Sequence, residues 1–246
     1  EIFANHGASL PTFNSLAIET FLWNIQGLSD RFIYFTDDVF LTAPCQQADF
    51  FTKHGPILRG AWADFSAFQD DPVQMADPVR FNHYMQLNAA GLCGMPPERL
   101  FRAAHVAHPC SRRTMAQLHT RFNAAFHDNA RYQMRDIRQF SPQSLHNHAC
   151  ILHKTAKLHP IKDHHHIYSG QWVSAADGTI PALLQNIRDT PDLKMLCVND
   201  LPQLAALYPD LRRRPAQLPT GPPSSQGRHP RASGRAPPGA ARRRQR

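Results

Sequence analysis

Between residues 14 and 41 the apolar positions change period, and the change predicts a helix followed by a strand. Ile18, Phe21, Leu22 and Ile25 recur at helical spacing behind Asn14 or Ser15, either of which can cap the amino terminus, and Gly27 marks a stop. Glu19 falls one turn beyond Ser15 on a neighbouring face. Phe32-Ile33-Tyr34-Phe35 is an unbroken apolar run that predicts a buried strand, with Asp37 and Asp38 at its carboxyl end, where open α/β sheets place their ligand crevice. Further on, Asp77-Pro78 predicts a capped helix through about Leu92, and Leu100 to Val106 a strand ending at Pro109. Met115, Leu118, Phe122 and Phe126 form an apolar helical stripe, and Ser141-Pro142 opens a helix toward Leu152. Lys194 to Val198 predicts an apolar strand ending in polar Asn199 and Asp200; the runs Phe50 to Trp62 and Ile167 to Val173 carry weaker strand patterns.

Alternating helices and strands predict one α/β domain, Rossmann-like, with a mixed or parallel sheet flanked by helices. Residues 1–209 are enough for a sizeable core. The carboxyl end differs. Of 27 Lys and Arg in the chain, ten arginines lie in residues 211–246, which hold no acid; the rest of the chain has 17 basic against 19 acidic residues, about −2. With seven prolines, four glycines and almost no large apolar residues, that segment cannot offset its ordering entropy, so residues 210–246 are expected to be a disordered basic tail. An RNA or anionic-membrane tether would use such charge. An unselected extension is the simpler reading, and no specific nucleic acid is expected as partner. No apolar run reaches membrane-spanning length, and no charged-then-apolar leader precedes the first helix. Cys45, Cys93, Cys110, Cys150 and Cys197 are odd in number and lack a C-x-x-C pair, which suggests neither a disulfide framework nor a zinc knuckle and fits a reducing cytosol.

The segment 10–41 resembles the second conserved region of the Stealth family, sugar-1-phosphate transferases that include bacterial capsule polymerases and the animal lysosomal-enzyme N-acetylglucosamine-1-phosphotransferase. The family pattern L-P-T-F-x-S-x-A-I-E, G-L-S-x-x-F-x-Y, D-D and F-L is matched by Leu10 to Glu19, Gly27 to Tyr34, Asp37-Asp38 and Phe40-Leu41. Ala104-His105-Val106-Ala107-His108, with Arg135 30 residues after His105, resembles the third region, and Lys194 to Asp200 the fourth. The family's first region, a strand of the type D-V-V-Y-T-W-V-D, has no counterpart, and the chain starts at Glu1; an amino-terminal truncation is the expectation. At the other end only Tyr208-Pro209 matches the family's closing F-P-x-x-S-x-F-E.

The resemblance implies transfer of a sugar-1-phosphate from a nucleotide diphosphate sugar to a hydroxyl of a polysaccharide or oligosaccharide acceptor. The product is a phosphodiester, as in capsular or exopolysaccharide synthesis, in the bacterial cytoplasm or at the inner face of the membrane, where peripheral association would fit. Attack on phosphorus needs positive charge at the equatorial oxygens and a base for the acceptor proton. Arg135 suits the first, since a planar guanidinium grips two phosphate oxygens. His105 suits the second, since an imidazole accepts protons near neutral pH; Glu19 is the alternative base or orients the acceptor. Asp37 and Asp38 suit Mg²⁺ or Mn²⁺, which prefer hard oxygen ligands. Asn14, Ser15, Asn199 and Asp200 are expected sugar or phosphate contacts. Alone, the truncated chain is expected to turn over little.

Blander readings compete. A helical Glu is usually a solvated face, and an Asp-Asp pair after a strand is often a turn. The histidine run His164-His165-His166 beside Asp163 could bind a transition metal, but consecutive residues rarely face one ion, so an exposed loop is expected, as for His146, His148 and His153 on their helix. Trp23, Trp62 and Trp172 fit core or sugar-facing platforms. Two other functions remain: a catalytically dead sugar- or nucleic-acid-binding fragment, and an ordinary metal-dependent glycosyltransferase.

Overall fold

A computed structural model describes residues 2–3, 10–69, 71–159, 162–168 and 179–199. Asp200, Trp172 and the basic tail lie outside the described residues. The chain opens with helix α1 (Ser15–Thr20) and a 3-10 turn, then strands β1 (Arg31–Tyr34) and β2 (Val39–Leu41), helix α2 (Gln47–Phe50), and strands β3 (Ile57–Leu58) and β4 (Gly60–Ala63). Helices α3 (Pro72–Ala76) and α4 (Phe81–Leu92) lead to strands β5 (Leu100–Ala103) and β6 (His108–Ser111). Helices α5 (Arg112–Arg121), α6 (Asn123–Ala130) and α7 (Pro142–Leu152) follow, then β7 (Lys157–Leu158), β8 (His164–Ile167), α8 (Thr179–Asp189) and β9 (Met195–Val198).

The class is mixed α/β. Strand directions are mixed as well: β8 and β9 run parallel, β3 and β7 parallel, and the pairs β1 with β6, β2 with β9 and β4 with β5 are antiparallel. One continuous Rossmann-like sheet is not found among the described residues; the strands form four small sheets, the largest β2-β9-β8. Strands of two to four residues interrupted by Pro56, Gly60 and Pro109 cannot propagate a wide ladder. Gly60 has φ +154, and a Cβ there would collide with the Arg102 carbonyl, so β4 lies against β5 at a distance only glycine permits.

Several expected elements shift. Helix α1 ends at Thr20, earlier than the Gly27 stop, because Phe21 leaves helical geometry at φ −120, and Gly27 (φ +79) follows the later 3-10 turn. β1 is not buried. With β6 as its single partner it alternates, Phe32 and Tyr34 half-buried and Ile33 and Phe35 facing out at 36% and 40% exposure. Pro109 sits inside β6 rather than ending a strand, and Phe50 closes α2. The helices capped by Asp77 and Ser141 form as expected, the first entering through a 3-10 turn at Pro78. No helix among the described residues is long and apolar enough to cross a membrane.

Two cores result. Phe21, Met115, Leu118, Phe126, Phe140 and Leu145 weld the helices, taking in most of the stripe read from the sequence, with Phe122 packed at its edge. Val39, Phe50, Val106, Ala107, Met195 and Cys197 join β2 and β9 to the loop after β5. A buried ion pair anchors β8: Arg59 Nε and Nη2 donate to the Asp163 carboxylate at 2.7 and 2.6 Å, one residue before His164. His164-His165-His166 is therefore a strand with partly buried rings, not an exposed loop, because parallel pairing to β9 takes it into the sheet.

His146 and His148 are fully buried, again contrary to expectation. Helix α7 packs over β5 and β6, and each ring accepts a backbone N–H: His148 Nε2 from Phe101 at 3.1 Å, His146 Nε2 from Ser111 at 3.0 Å. An acceptor nitrogen carries no proton, so both rings are neutral, and burial pushes each down to about 4.

Candidate functional site

The carboxyl end of β1 runs into a turn closed by Val39 N donating to Thr36 O at 3.3 Å, so the two aspartates occupy a turn as well as a strand end. Asp38 is turned toward the loop after β5, where its Oδ1 stands 3.3 Å from His105 Nε2; Thr36 Oγ1 is also 3.3 Å from that nitrogen. Both contacts fall on Nε2, the ring nitrogen on the side of the aspartate turn. Burial raises the Asp38 carboxyl, but hydrogen bonds from His105 and Thr36 and the imidazole charge outweigh it and hold the group below the usual carboxylate range. Asp37 is exposed.

The next layer comes from the β2-β9-β8 sheet. His166 and Cys197 are register partners on parallel strands, so their side chains project from the same face. That face meets the His105 loop: the His105 and His166 rings lie 5.3 Å apart, edge to face. Asn199, just beyond β9, contacts both neighbours through Oδ1, 3.0 Å from His166 Nε2 and 3.5 Å from Cys197 Sγ. Val198 N donates to the Asp38 carbonyl at 2.8 Å, which fixes the aspartate turn to the end of β9.

Glu19 and Arg135 form the second group. Tyr34 Oη donates to Glu19 Oε1 at 2.8 Å and Gln143 Nε2 to Oε2 at 2.7 Å. The carboxyl borders a small apolar recess lined by Leu22, Trp23, Phe32, Tyr34 and Met115. Burial raises its pKa, and those hydrogen bonds, with the charges of Arg135 and His105, only partly offset the rise. Arg135 Nη2 donates to Ser15 Oγ at 2.9 Å on an exposed loop.

Asn14 has another task. It is 2% exposed; its Nδ2 donates to the Tyr132 and Met134 carbonyls and to Gln139 Oε1, while its Oδ1 caps α1 through Leu16 N. It clamps the loop that carries Arg135, and its carboxamide is spent within the protein. His108 lies on β6 opposite Tyr34, where desolvation pushes its imidazole down to about 4.

Among the described residues, the group of three or more His, Cys, Asp or Glu ligand atoms at single-ion spacing is His105, His166 and Cys197. Neither Asp37 nor Asp38 joins it. Two nitrogens and a sulfur suit a transition ion rather than Mg²⁺ or Mn²⁺, which would use one or two carboxylates together with substrate phosphates. Sequence reasoning set His166 aside within a run expected to be an exposed loop, and gave Cys197 no role. The available signal was alternation: His164 and His166 share one face of a strand, as Met195 and Cys197 do.

Residues 1–58 match the family model described as Stealth protein CR2, conserved region 2. An exopolysaccharide phosphotransferase of Streptomyces coelicolor is 44% identical over 79 residues, 32% of this chain and 13% of that protein. A second from the same organism is 31% identical over 153 residues, 58% of this chain and 26% of that one. A capsular polysaccharide phosphotransferase of Neisseria meningitidis is 54% identical over 46 residues, 19% of this chain and 13% of the relative. The matched segments thus span about a quarter or less of these relatives.

Proposed function

Because the chain carries the conserved region 2 of Stealth proteins, we propose that it is part of a sugar-phosphate transferase of capsular or exopolysaccharide synthesis. Its donor is a nucleotide diphosphate sugar, and its acceptor a saccharide hydroxyl. The observation that carries this reading is convergence. Asp38, the His105 loop and Asn199 come from three separated segments, with Asp38 Oδ1 3.3 Å from His105 Nε2 and Asn199 Oδ1 3.0 Å from His166 Nε2.

In this mechanism the acceptor oxygen attacks the sugar-bearing phosphorus. The new O–P bond forms as the bond to the bridging oxygen breaks, and the nucleoside monophosphate leaves with that electron pair. His105 Nδ1 takes the acceptor proton, while Asp38 holds the opposite edge of the ring and stabilises the imidazolium. Arg135, lightly held by Ser15 and open to solvent, swings onto the phosphoryl oxygens. Glu19, kept in place by Tyr34 and Gln143, orients the acceptor hydroxyl. A Mg²⁺ or Mn²⁺ ion would add neutralising charge at the diphosphate, and no step derived for these residues depends on it.

The test is a panel of nucleotide diphosphate sugars with oligosaccharide acceptors, read by phosphorus NMR. Phosphodiester formation with release of nucleoside monophosphate is expected; release of nucleoside diphosphate with a glycosidic product would mean an ordinary glycosyltransferase. Donor binding followed by ligand-observed NMR should depend on Arg135. Binding indifferent to Arg135→Ala counts against the assignment even where turnover is low.

A further inference from the structure

The geometry points to a transition-metal site formed by His105, His166 and Cys197, with Zn²⁺ as the ion it takes. The ligand atoms of the three lie within 4.8 Å of one another. Four-coordinate zinc, with nitrogen at about 2.0–2.1 Å and sulfur at about 2.3 Å, needs donor separations of roughly 3.3–3.7 Å. An adjustment of about 1 Å in two half-exposed imidazoles closes the difference. Three protein donors with a vacant fourth position is the arrangement that leaves an ion open to water or to a substrate oxygen.

The surroundings favour the same ion. The Cys197 and His166 backbones are fixed by strand register, so two donors are preorganised in the sheet and only the third comes from a loop. Asn199 Oδ1 and Asp38 Oδ1 sit at the histidine rings, as the outer oxygens that orient metal-bound imidazoles do. His105 has a side-chain exposure of 36%, which gives an ion entry from solvent, while Cys197 behind it is buried. Among the described residues, Cys45, Cys93, Cys110 and Cys150 belong to no such group.

A consequence rests on the transferase reading. Metal on His105 takes a ring lone pair and fixes the proton on the other nitrogen, so the imidazole can no longer accept the acceptor proton. Zn²⁺ then acts as an inhibitor at the base itself.

Co²⁺ titrated into the full chain is the direct probe. One equivalent should produce a thiolate-to-cobalt charge-transfer band in the near ultraviolet and the intense visible bands of four-coordinate cobalt, both bleached by Zn²⁺ and unmoved by millimolar Mg²⁺. Cys197→Ser should abolish the charge-transfer band. His166→Gln, on a half-exposed ring that does not threaten the core, should weaken cobalt binding by at least about tenfold. The site is overturned by a parental spectrum without the charge-transfer band, or by that band persisting in folded Cys197→Ser. Unchanged affinity in folded His166→Gln, or displacement by Mg²⁺, overturns it too. The cobalt spectrum needs no turnover, so an intact spectrum without transfer counts against the transferase reading and not against the site. Transfer untouched by bound Zn²⁺ counts against His105 as the base.

Discussion

Protonation separates the roles of the polar side chains at the residue scale. His105→Ala should lower turnover by about 10²–10⁴ with donor affinity little changed, because the acceptor proton moves only during reaction. Arg135→Ala should weaken both, because phosphate charge is present before and during transfer; single-turnover rates with donor titration separate the two. Asp38→Asn should keep the ring in place but remove the carboxylate that stabilises imidazolium, so turnover should fall with a smaller loss of donor affinity. The Asp38 carboxyl is depressed in the folded state, so its stabilising contribution is complete above roughly pH 4 and fades as pH falls through the lower folded value. The sequence singled out Glu19, Asp37, Asp38, His105 and Arg135 because their types and order matched a family pattern. It gave no sign that Asn14 is a clamp, since a capping asparagine and a loop-holding asparagine look identical until the partner carbonyls 118 and 120 residues away are in place.

Elements are held by a few non-local ties, and these were the least legible in sequence. Capping signals located α4 and α7, and apolar pattern located β9 and the helical stripe, because each is long, capped or apolar enough for local signals to dominate. Neither could show that the histidine run forms a strand, because pairing with β9 and the Arg59–Asp163 ion pair decide that. Breaking this pair leaves the buried guanidinium without its carboxylate, with only the Asp49 carbonyl among the described residues to accept from it, so Asp163→Ala should cost about 3–5 kcal/mol, measured by denaturant unfolding. The same strand-level logic makes Gly60→Ala costly, by about 2 kcal/mol or more, since β4 must back away from the Arg102 carbonyl and the φ is unfavourable for any side chain.

Among the described residues the larger helical cluster and the larger strand cluster lie with two smaller ones, and the fourfold division of the sheets is invisible to any reading of single segments. The molecule's acid sensitivity should come from buried neutral histidines. His146 and His148 are lowered to about 4, so the unfolded chain takes up protons first. The stability they give is complete above roughly pH 6.5 and is lost as pH falls toward 4, by at most about 3 kcal/mol each. Urea midpoints across that range check the prediction, and His148→Gln should flatten the slope. Composition alone argues that removing residues 211–246 leaves the melting temperature unchanged, since that segment offers no apolar stripe with which to dock. The seating of α7 on β5 and β6 has another consequence. The amide protons of Phe101 and Ser111 are each capped by an imidazole from one helix, on either side of the loop that bears His105. Their hydrogen–deuterium exchange should therefore be slow, matched in rate and accelerated together in acid, which makes two backbone amides a clock for how often the helix lifts and lets water beneath the site.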